Sequence, residues 1–215
     1  MDASSYANNG TASGSFSPDG PAVSSYLGGS SYTFTGAGEI SIPPSSTSQM
    51  TSGGTFEVWF NTTAADGEVL LGAQSSDPLT GSESSFIPLL FVNNLGELCL
   101  GLSENNPLCT STAVNTGQWV MADLEMSTSA QTIFVDGEPA AQGQSSTALP
   151  PQWTWMTSLT WAAGFLYTRA DGTGGTYTST VGVPLTGSVA DAAVYPSEVP
   201  ASDIATRYSL ATTGS

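Results

Sequence analysis

The chain has 215 residues, 39% of them hydrophobic, and its 18 acidic and two basic residues give a net charge of −16 at pH 7. This length suits one β-sandwich, and the many Gly, Ser, Thr and Pro positions favour short strands over long helices. The charge excludes DNA and RNA as partners and disfavours anionic membranes, and no stretch reaches the ~18 apolar residues that membrane insertion needs.

Alternating apolar and polar residues predict strands in the first half of the chain. Residues 2–14 are a polar arm and residues 15–30 a loop. Two strands around a Gly-rich turn are predicted in residues 32–43, one strand in residues 55–62 and a short one in residues 69–73.

A hairpin in residues 86–102 is followed by a second hairpin that contains both cysteines, Cys99 and Cys109. Folding this second hairpin about Glu104 places the cysteines opposite each other, and facing strand positions lie ~4.5–5.5 Å apart, within disulfide range. We therefore expect a disulfide, with two free buried thiols as the alternative. A disulfide is typical of an exported protein.

Residues 117–140 read as a central hairpin. Val120, Ala122, Leu124 and Met126 alternate with mostly polar residues, which predicts a half-buried strand. Asp123 and Glu125 then fall on a solvated face. Residues 131–135 form the next strand, and Asp136-Gly137 supplies a tight turn with positive φ.

The last third of the chain is rich in aromatic residues and loop formers. Residues 158–168 are strand-like, and residues 170–182 read as a Gly- and Thr-rich insertion loop. Ser202 is a candidate helix N-cap near the end of the chain.

Several of these segments resemble laminin-G-like domains of the concanavalin A-like lectin and glucanase architecture. The resemblance lies in Gln118-Trp119, the strand ending "VDG" at Gly137 and the Asn-Gly-Thr of residues 9–11. Residues 187–195 are similar to the last strand of these domains, and residues 196–210 are similar to their terminal turn of helix. It implies an all-β, two-sheet antiparallel jelly-roll sandwich that forms a single domain over residues 1–215. It also implies that Trp119 is a core residue.

Catalysis is not expected. The chain contains no histidine, which excludes Ser-His-Asp, Cys-His and His-metal chemistry. The Glu-x-Asp-x-x-Glu motif of glucanases with this architecture is missing. Asp123 and Glu125 lie two apart on one strand face and are the candidate pair for a glycosidase, but such a pair more commonly marks a solvated strand face.

The resemblance implies one structural calcium ion at the rim of the sandwich. Calcium takes six to eight oxygen ligands from carboxylates and carbonyls in loops. The carboxylates near the matching turns are Asp2, Glu39, Asp136 and Asp191.

The expected function is that of a lectin-like recognition module in a larger extracellular or cell-surface protein, with other domains of that protein as further partners. The candidate ligand residues are Trp153, Trp155, Tyr167, Arg169 and Tyr177, since aromatic faces stack on sugars and loops carry binding residues. The expected ligand is a glycan or a cell-surface protein. The alternatives are a protein-assembly module without a sugar site and a glycoside hydrolase. We expect Met1 to be the start of an excised module.

Overall fold

The computed structural model describes residues 4, 6–27, 30–43, 50, 53–64, 68–74, 86–101, 107–144, 158–161, 166–169, 177–180 and 185–214. In these described residues the chain forms strands and one helix, which confirms the predicted all-β fold class. The elements are β1 (Thr11–Gly20), β2 (Ser31–Ile42), β3 (Gly53–Thr62), β4 (Glu68–Gln74), β5 (Phe86–Val92), β6 (Glu97–Leu100), β7 (Leu108–Ala113), β8 (Val120–Ser127), β9 (Ala130–Val135), β10 (Glu138–Gln144), β11 (Ser158–Trp161), β12 (Leu166–Arg169), β13 (Tyr177–Thr180), β14 (Thr186–Tyr195) and α1 (Ala201–Thr213).

Twelve strands form one continuous antiparallel sheet that folds into two layers, with β1 paired to β2. One layer has the order β10-β9-β8-β3-β14-β2, and the other has the order β11-β4-β5-β6-β7. β2 joins them, because residues 32–35 pair with β14 and residues 40–42 pair with β11. β12 and β13 form a separate two-stranded sheet.

The main core fills the space between the layers. Phe56, Val58 and Phe60 of β3 are fully buried and belong to the same cluster as Leu90 of β5 and Leu124 of β8. This burial confirms the predicted alternation on β3 and β8. It stabilises the sandwich by removing apolar surface from water.

A second apolar cluster covers the outer face of the first layer. Trp59, Met121 and Phe134 lie on three adjacent strands and pack with Ile204 and Ala211 of α1. The prediction of a half-buried β8 is therefore wrong: Met121 and Asp123 are both 0% exposed, because the helix covers the face that was expected to meet solvent.

The predicted boundaries were wrong at three further elements. Residues 11–20 form β1, which pairs along β2, although most of them were assigned to a loop. β2 is one strand of 12 residues instead of two, and Gly36 within it takes a φ of 83°, a conformation that favours glycine. β13 occupies residues 177–180 of the predicted insertion loop.

The helix also begins differently from the prediction. Its N-cap is Pro200, which makes no side-chain cap hydrogen bond, and Ser202 lies inside the helix. The helix ends at Gly214, whose left-handed backbone lets its N–H donate to the Leu210 carbonyl at 3.1 Å. No helix in the described part of the chain is long and apolar enough to cross a membrane.

The predicted disulfide is present. Cys99 of β6 and Cys109 of β7 are register partners with their Cα atoms 4.1 Å apart, and their sulfurs are bonded. The bridge ties the last two strands of the second layer together, so it stabilises the layer's edge.

Candidate functional site

A groove of about 470 Å³ opens between the edges of the two layers. β7 ends the second layer and β10 ends the first, and the two strands are in contact without forming a ladder. The polar part of the lining is Thr110, Ser111, Thr112, Thr116, Gln118 and Asp136, and the apolar part includes Trp119, Val120, Val135 and Ala140. The groove therefore presents an aromatic ring together with hydroxyl, amide and carboxyl groups.

Trp119 is the aromatic residue of this groove, and a pinned loop positions it. The Gly117 N–H donates to the Thr62 carbonyl at 2.9 Å, and the Asn61 Nδ2 donates to the Gly117 carbonyl at 2.8 Å. Gly117 has a φ of 75°, a conformation that favours glycine. The loop thus enters β8 at a fixed angle just after Trp119.

Trp119 is half-buried, not a residue of the main core. It packs against the outer cluster of Trp59, Met121 and Phe134, and it also lines the groove. The expectation of a core tryptophan is corrected to this extent, because the residue precedes β8 instead of pointing between the layers. Its position leaves part of the ring available to a ligand.

Asp136 occupies the turn between β9 and β10 at the side of the groove. It has a φ of 53° and Gly137 a φ of 85°, which confirms the predicted positive-φ turn. Its Oδ1 accepts the Met121 N–H at 3.0 Å, and its own N–H donates to the Met121 carbonyl at 2.9 Å. Burial raises the pKa of this carboxyl, although the Met121 hydrogen bond opposes the shift.

The hydroxyl groups of the groove differ in how far they are already engaged. The Thr110 hydroxyl donates to the Thr112 carbonyl at 3.0 Å and accepts the Leu98 N–H at 3.1 Å, so it is structural. Ser111, Thr112 and Gln118 are exposed. Their side chains are the polar groups best placed to meet a ligand.

The structure describes only part of the predicted ligand segment. Trp153 and Trp155 lie outside the described residues. Tyr167 and Arg169 lie on β12, and Tyr177 lies on β13. The hairpin brings Arg169 and Tyr177 together as direct cross-strand partners, which the sequence did not reveal.

The described carboxylates of the predicted calcium set lie on different elements. Glu39 of β2 is buried and accepts the Ser13 hydroxyl at 3.3 Å and the Ser41 hydroxyl at 3.2 Å. Asp136 lies in the β9–β10 turn, and Asp191 lies in a bulge of β14 with a φ of 44°. Asp2 is outside the described residues. No group of three or more His, Cys, Asp or Glu residues suited to a metal occurs in the described part of the chain, so the calcium ion stays a prediction.

Sequence reasoning missed a charged cluster beneath α1. The Arg207 Nη1 donates to the Glu57 Oε2 at 2.8 Å, and its guanidinium lies 4.3 Å from the centre of the Tyr195 ring. The Tyr195 hydroxyl donates to the same Glu57 oxygen at 3.3 Å. Asp123, the register partner of Glu57, completes the cluster.

Asp123 has unusual electrostatics. It is 0% exposed, and neither of its carboxyl oxygens has a hydrogen-bond partner at ordinary geometry among the described residues. Burial, and next the neighbouring Glu57, raise the pKa of Asp123 to about 8, against the lowering effect of Arg207. Arg207 was the one sequence feature that could have indicated this cluster. It is one of only two cationic side chains in a chain of net charge −16, so it is expected to form an ion pair with a carboxylate.

The chain matches a family model of the laminin G type, described as the concanavalin A-like lectin/glucanases superfamily, over residues 34–205. The chain belongs to this family, as the sequence motifs indicated. A comparison with curated protein sequences gives no significant match. The family match starts at residue 34, so a single domain over residues 1–215 stays a prediction.

Solved structures share the fold at low sequence identity. Domain 4 of AbnA, a GH43 extracellular arabinanase from Geobacillus stearothermophilus in complex with arabinotriose, has a TM-score of 0.58 at 14% identity, over 94% of this chain and 90% of that one. The binding domain of botulinum neurotoxin DC in complex with SialylT has a TM-score of 0.59 at 9% identity, and the match covers 97% of this chain and 48% of that one. A Trypanosoma rangeli sialidase has a TM-score of 0.56 at 13% identity, over 86% and 28%. These identities establish the fold alone.

Proposed function

We propose that the chain is a non-catalytic carbohydrate-recognition module of a larger extracellular protein. The observation that carries this proposal is the groove between β7 and β10, where the half-buried Trp119 stands beside the exposed Gln118, Ser111 and Thr112. An aromatic face packs against the C–H face of a sugar ring, and amide and hydroxyl groups fix its hydroxyls.

The relatives support a sugar ligand. The family includes lectins, and two structures of the same fold are complexes with arabinotriose and with SialylT. The Cys99–Cys109 disulfide supports an extracellular setting, because disulfides persist in oxidising compartments. The acidic surface argues against nucleic acid as a partner.

The position of the carboxylates supports binding without hydrolysis. Glycosidases place two carboxyl groups on either side of the scissile bond. Asp123 and Glu57 are such a pair in chemistry, but both are buried beneath α1, where a polysaccharide has no access. Asp136 is the sole carboxylate among the described residues that line the groove.

A glycan array, followed by titration of the best ligand, tests this function. We expect the unmodified protein to bind at least one glycan and to release no reducing ends from a polysaccharide that contains it. Reducing ends would establish a hydrolase instead. Binding to a protein receptor with no glycan bound would favour the alternative, a protein-interaction module.

Variants decide between the two candidate locations. Gln118→Ala and Trp119→Phe alter the groove, and Gln142→Ala is the matched control because Gln142 is exposed on β10 outside the lining. Trp153→Ala and Trp155→Ala test the segment that the sequence favoured. We expect the groove variants to weaken binding and the control to leave it unchanged.

A further inference from the structure

We infer that the groove between β7 and β10 selects uncharged glycans and rejects glycans that carry carboxylate or sulfate groups. The inference rests on the proposed function and deepens it, because it assigns the chemical class of the ligand. The charges in and around the groove carry the argument.

Among the residues that the structure describes, no cationic side chain lines the groove. Neither arginine of the chain is among the described residues that line it. Arg207 is held beneath α1 by Glu57 and Tyr195. Recognition of a sugar carboxylate or sulfate in proteins usually needs an arginine, a lysine or a helix N-terminus.

The groove instead contains a carboxylate. The Asp136 carboxylate is held in place by the hydrogen bond that its Oδ1 accepts from the Met121 N–H, so it cannot turn away from an incoming anion without losing that bond. Like charges a few ångströms apart repel, and the repulsion is stronger at a partly buried site than in bulk water. The net charge of −16 adds a longer-range field that disfavours the encounter at low salt.

A neutral sugar fits the same groups. Trp119 offers an apolar ring face, Gln118 offers an amide that donates and accepts, and the Asp136 carboxylate accepts from hydroxyls. β7 and β10 also end their ladders at the groove, so backbone groups of the two edge strands can add hydrogen bonds.

Asp136→Asn isolates the local charge. Asparagine keeps an oxygen that can accept the Met121 N–H and tolerates a positive φ, so the turn should persist. The matched control is Asp19→Asn, which removes the same charge from an exposed position on β1, outside the lining.

The experiment measures binding of neutral oligosaccharides and of their uronate, sulfated or sialylated counterparts on one array, at about 50 mM and about 500 mM NaCl. We expect neutral glycans to be bound with little salt dependence and the acidic counterparts to be bound at least about tenfold more weakly at low salt. Asp136→Asn should narrow this preference severalfold, whereas Asp19→Asn should leave it unchanged.

The outcomes separate this inference from the proposed function. Stronger binding of acidic glycans, or an equal effect of Asp136→Asn and Asp19→Asn on the preference, overturns the selectivity while the recognition function stands. An array with no bound glycan of either class overturns the recognition function, and the inference with it.

Discussion

Asp123→Asn should stabilise the protein at neutral and alkaline pH. In the folded state the pKa of Asp123 is raised to about 8, from an ordinary value of 3.8. The unfolded chain therefore loses this proton near pH 4, whereas the folded chain keeps it until about pH 8. Because the folded state binds the extra proton across this window, the contribution of Asp123 to stability decreases as pH rises from about 4 to about 8 and is constant outside that range.

The size of the effect follows from the shift. One unit of pKa corresponds to about 1.36 kcal/mol, so a shift of about four units gives an upper limit of about 5 kcal/mol between pH 4 and pH 8. Asparagine has the same shape and carries no charge. The variant should therefore resemble the parent near pH 4 and exceed its stability by several kcal/mol at pH 8.

Urea unfolding at half-unit intervals from pH 4 to pH 9 measures this difference. The exposed Asp19→Asn serves as the control for the loss of one negative charge. We expect the two stability curves of parent and Asp123→Asn to diverge with pH. Parallel curves, or a variant that is less stable at every pH, would refute the reasoning that places a protonated Asp123 beside Glu57, Tyr195 and Arg207.

Four further predictions follow from the same structure. Cys99 and Cys109 should not be alkylated in the unreduced protein, and reduction should lower the free energy of unfolding by about 3 kcal/mol or less, since the closed loop is short; two reactive thiols by intact mass would contradict this. Arg207→Ala should lower the free energy of unfolding in urea by about 2–3 kcal/mol, because Glu57 then stays buried without its cation. The partial exposure of Arg207 keeps the loss below that of a fully buried pair, and an unchanged urea midpoint would show that the pair is dispensable. Trp119→Ala should lower the free energy of unfolding by at most about 3 kcal/mol, since only part of the ring is buried. It should also weaken glycan binding, and unchanged binding would show that Trp119 is not part of the site. If the predicted calcium binds, EDTA should lower the melting temperature by mass action, and an unchanged curve with no metal by elemental analysis would remove the ion.

The sequence predicted the fold well where one face of a strand decides the pattern. Phe56, Val58 and Phe60 alternate because that face of β3 meets the main core, and the prediction held. The cysteine spacing and the Asp136-Gly137 turn are local features, so they could also be read directly.

The alternating pattern could not predict that the outer face of β3 and β8 is also buried. Glu57 and Asp123 look like solvent-facing residues of half-buried strands, and their burial depends on a helix about 80 residues or more further along the chain. Pairing across such distances leaves no local periodic signal. The prediction of Ser202 as the N-cap was wrong because it relied on residue type alone. Ser202 is the second residue of the helix, and Pro200 occupies the N-cap position.

The groove could be predicted only in part. Gln118 and Trp119 stood out as a motif, but their exposure depends on how two edge strands from different layers meet. That meeting is set by the closure of the sandwich, not by the residues of either strand. The aromatic-rich segment of residues 153–182 was predicted to bind the ligand instead, because its composition is typical of a binding loop.

Calorimetric titration of a groove-blocked variant with the best neutral oligosaccharide from the array tests most directly whether the groove between β7 and β10 binds the glycan. Ala140 is exposed on β10 and lines the groove, so Ala140→Phe fills the space, and Ala201→Phe adds the same ring at an exposed position on α1 as the control. We expect Ala140→Phe to weaken binding by about tenfold or more and Ala201→Phe to bind like the parent. Equal affinities for the parent and Ala140→Phe would contradict the claim that this groove binds the glycan.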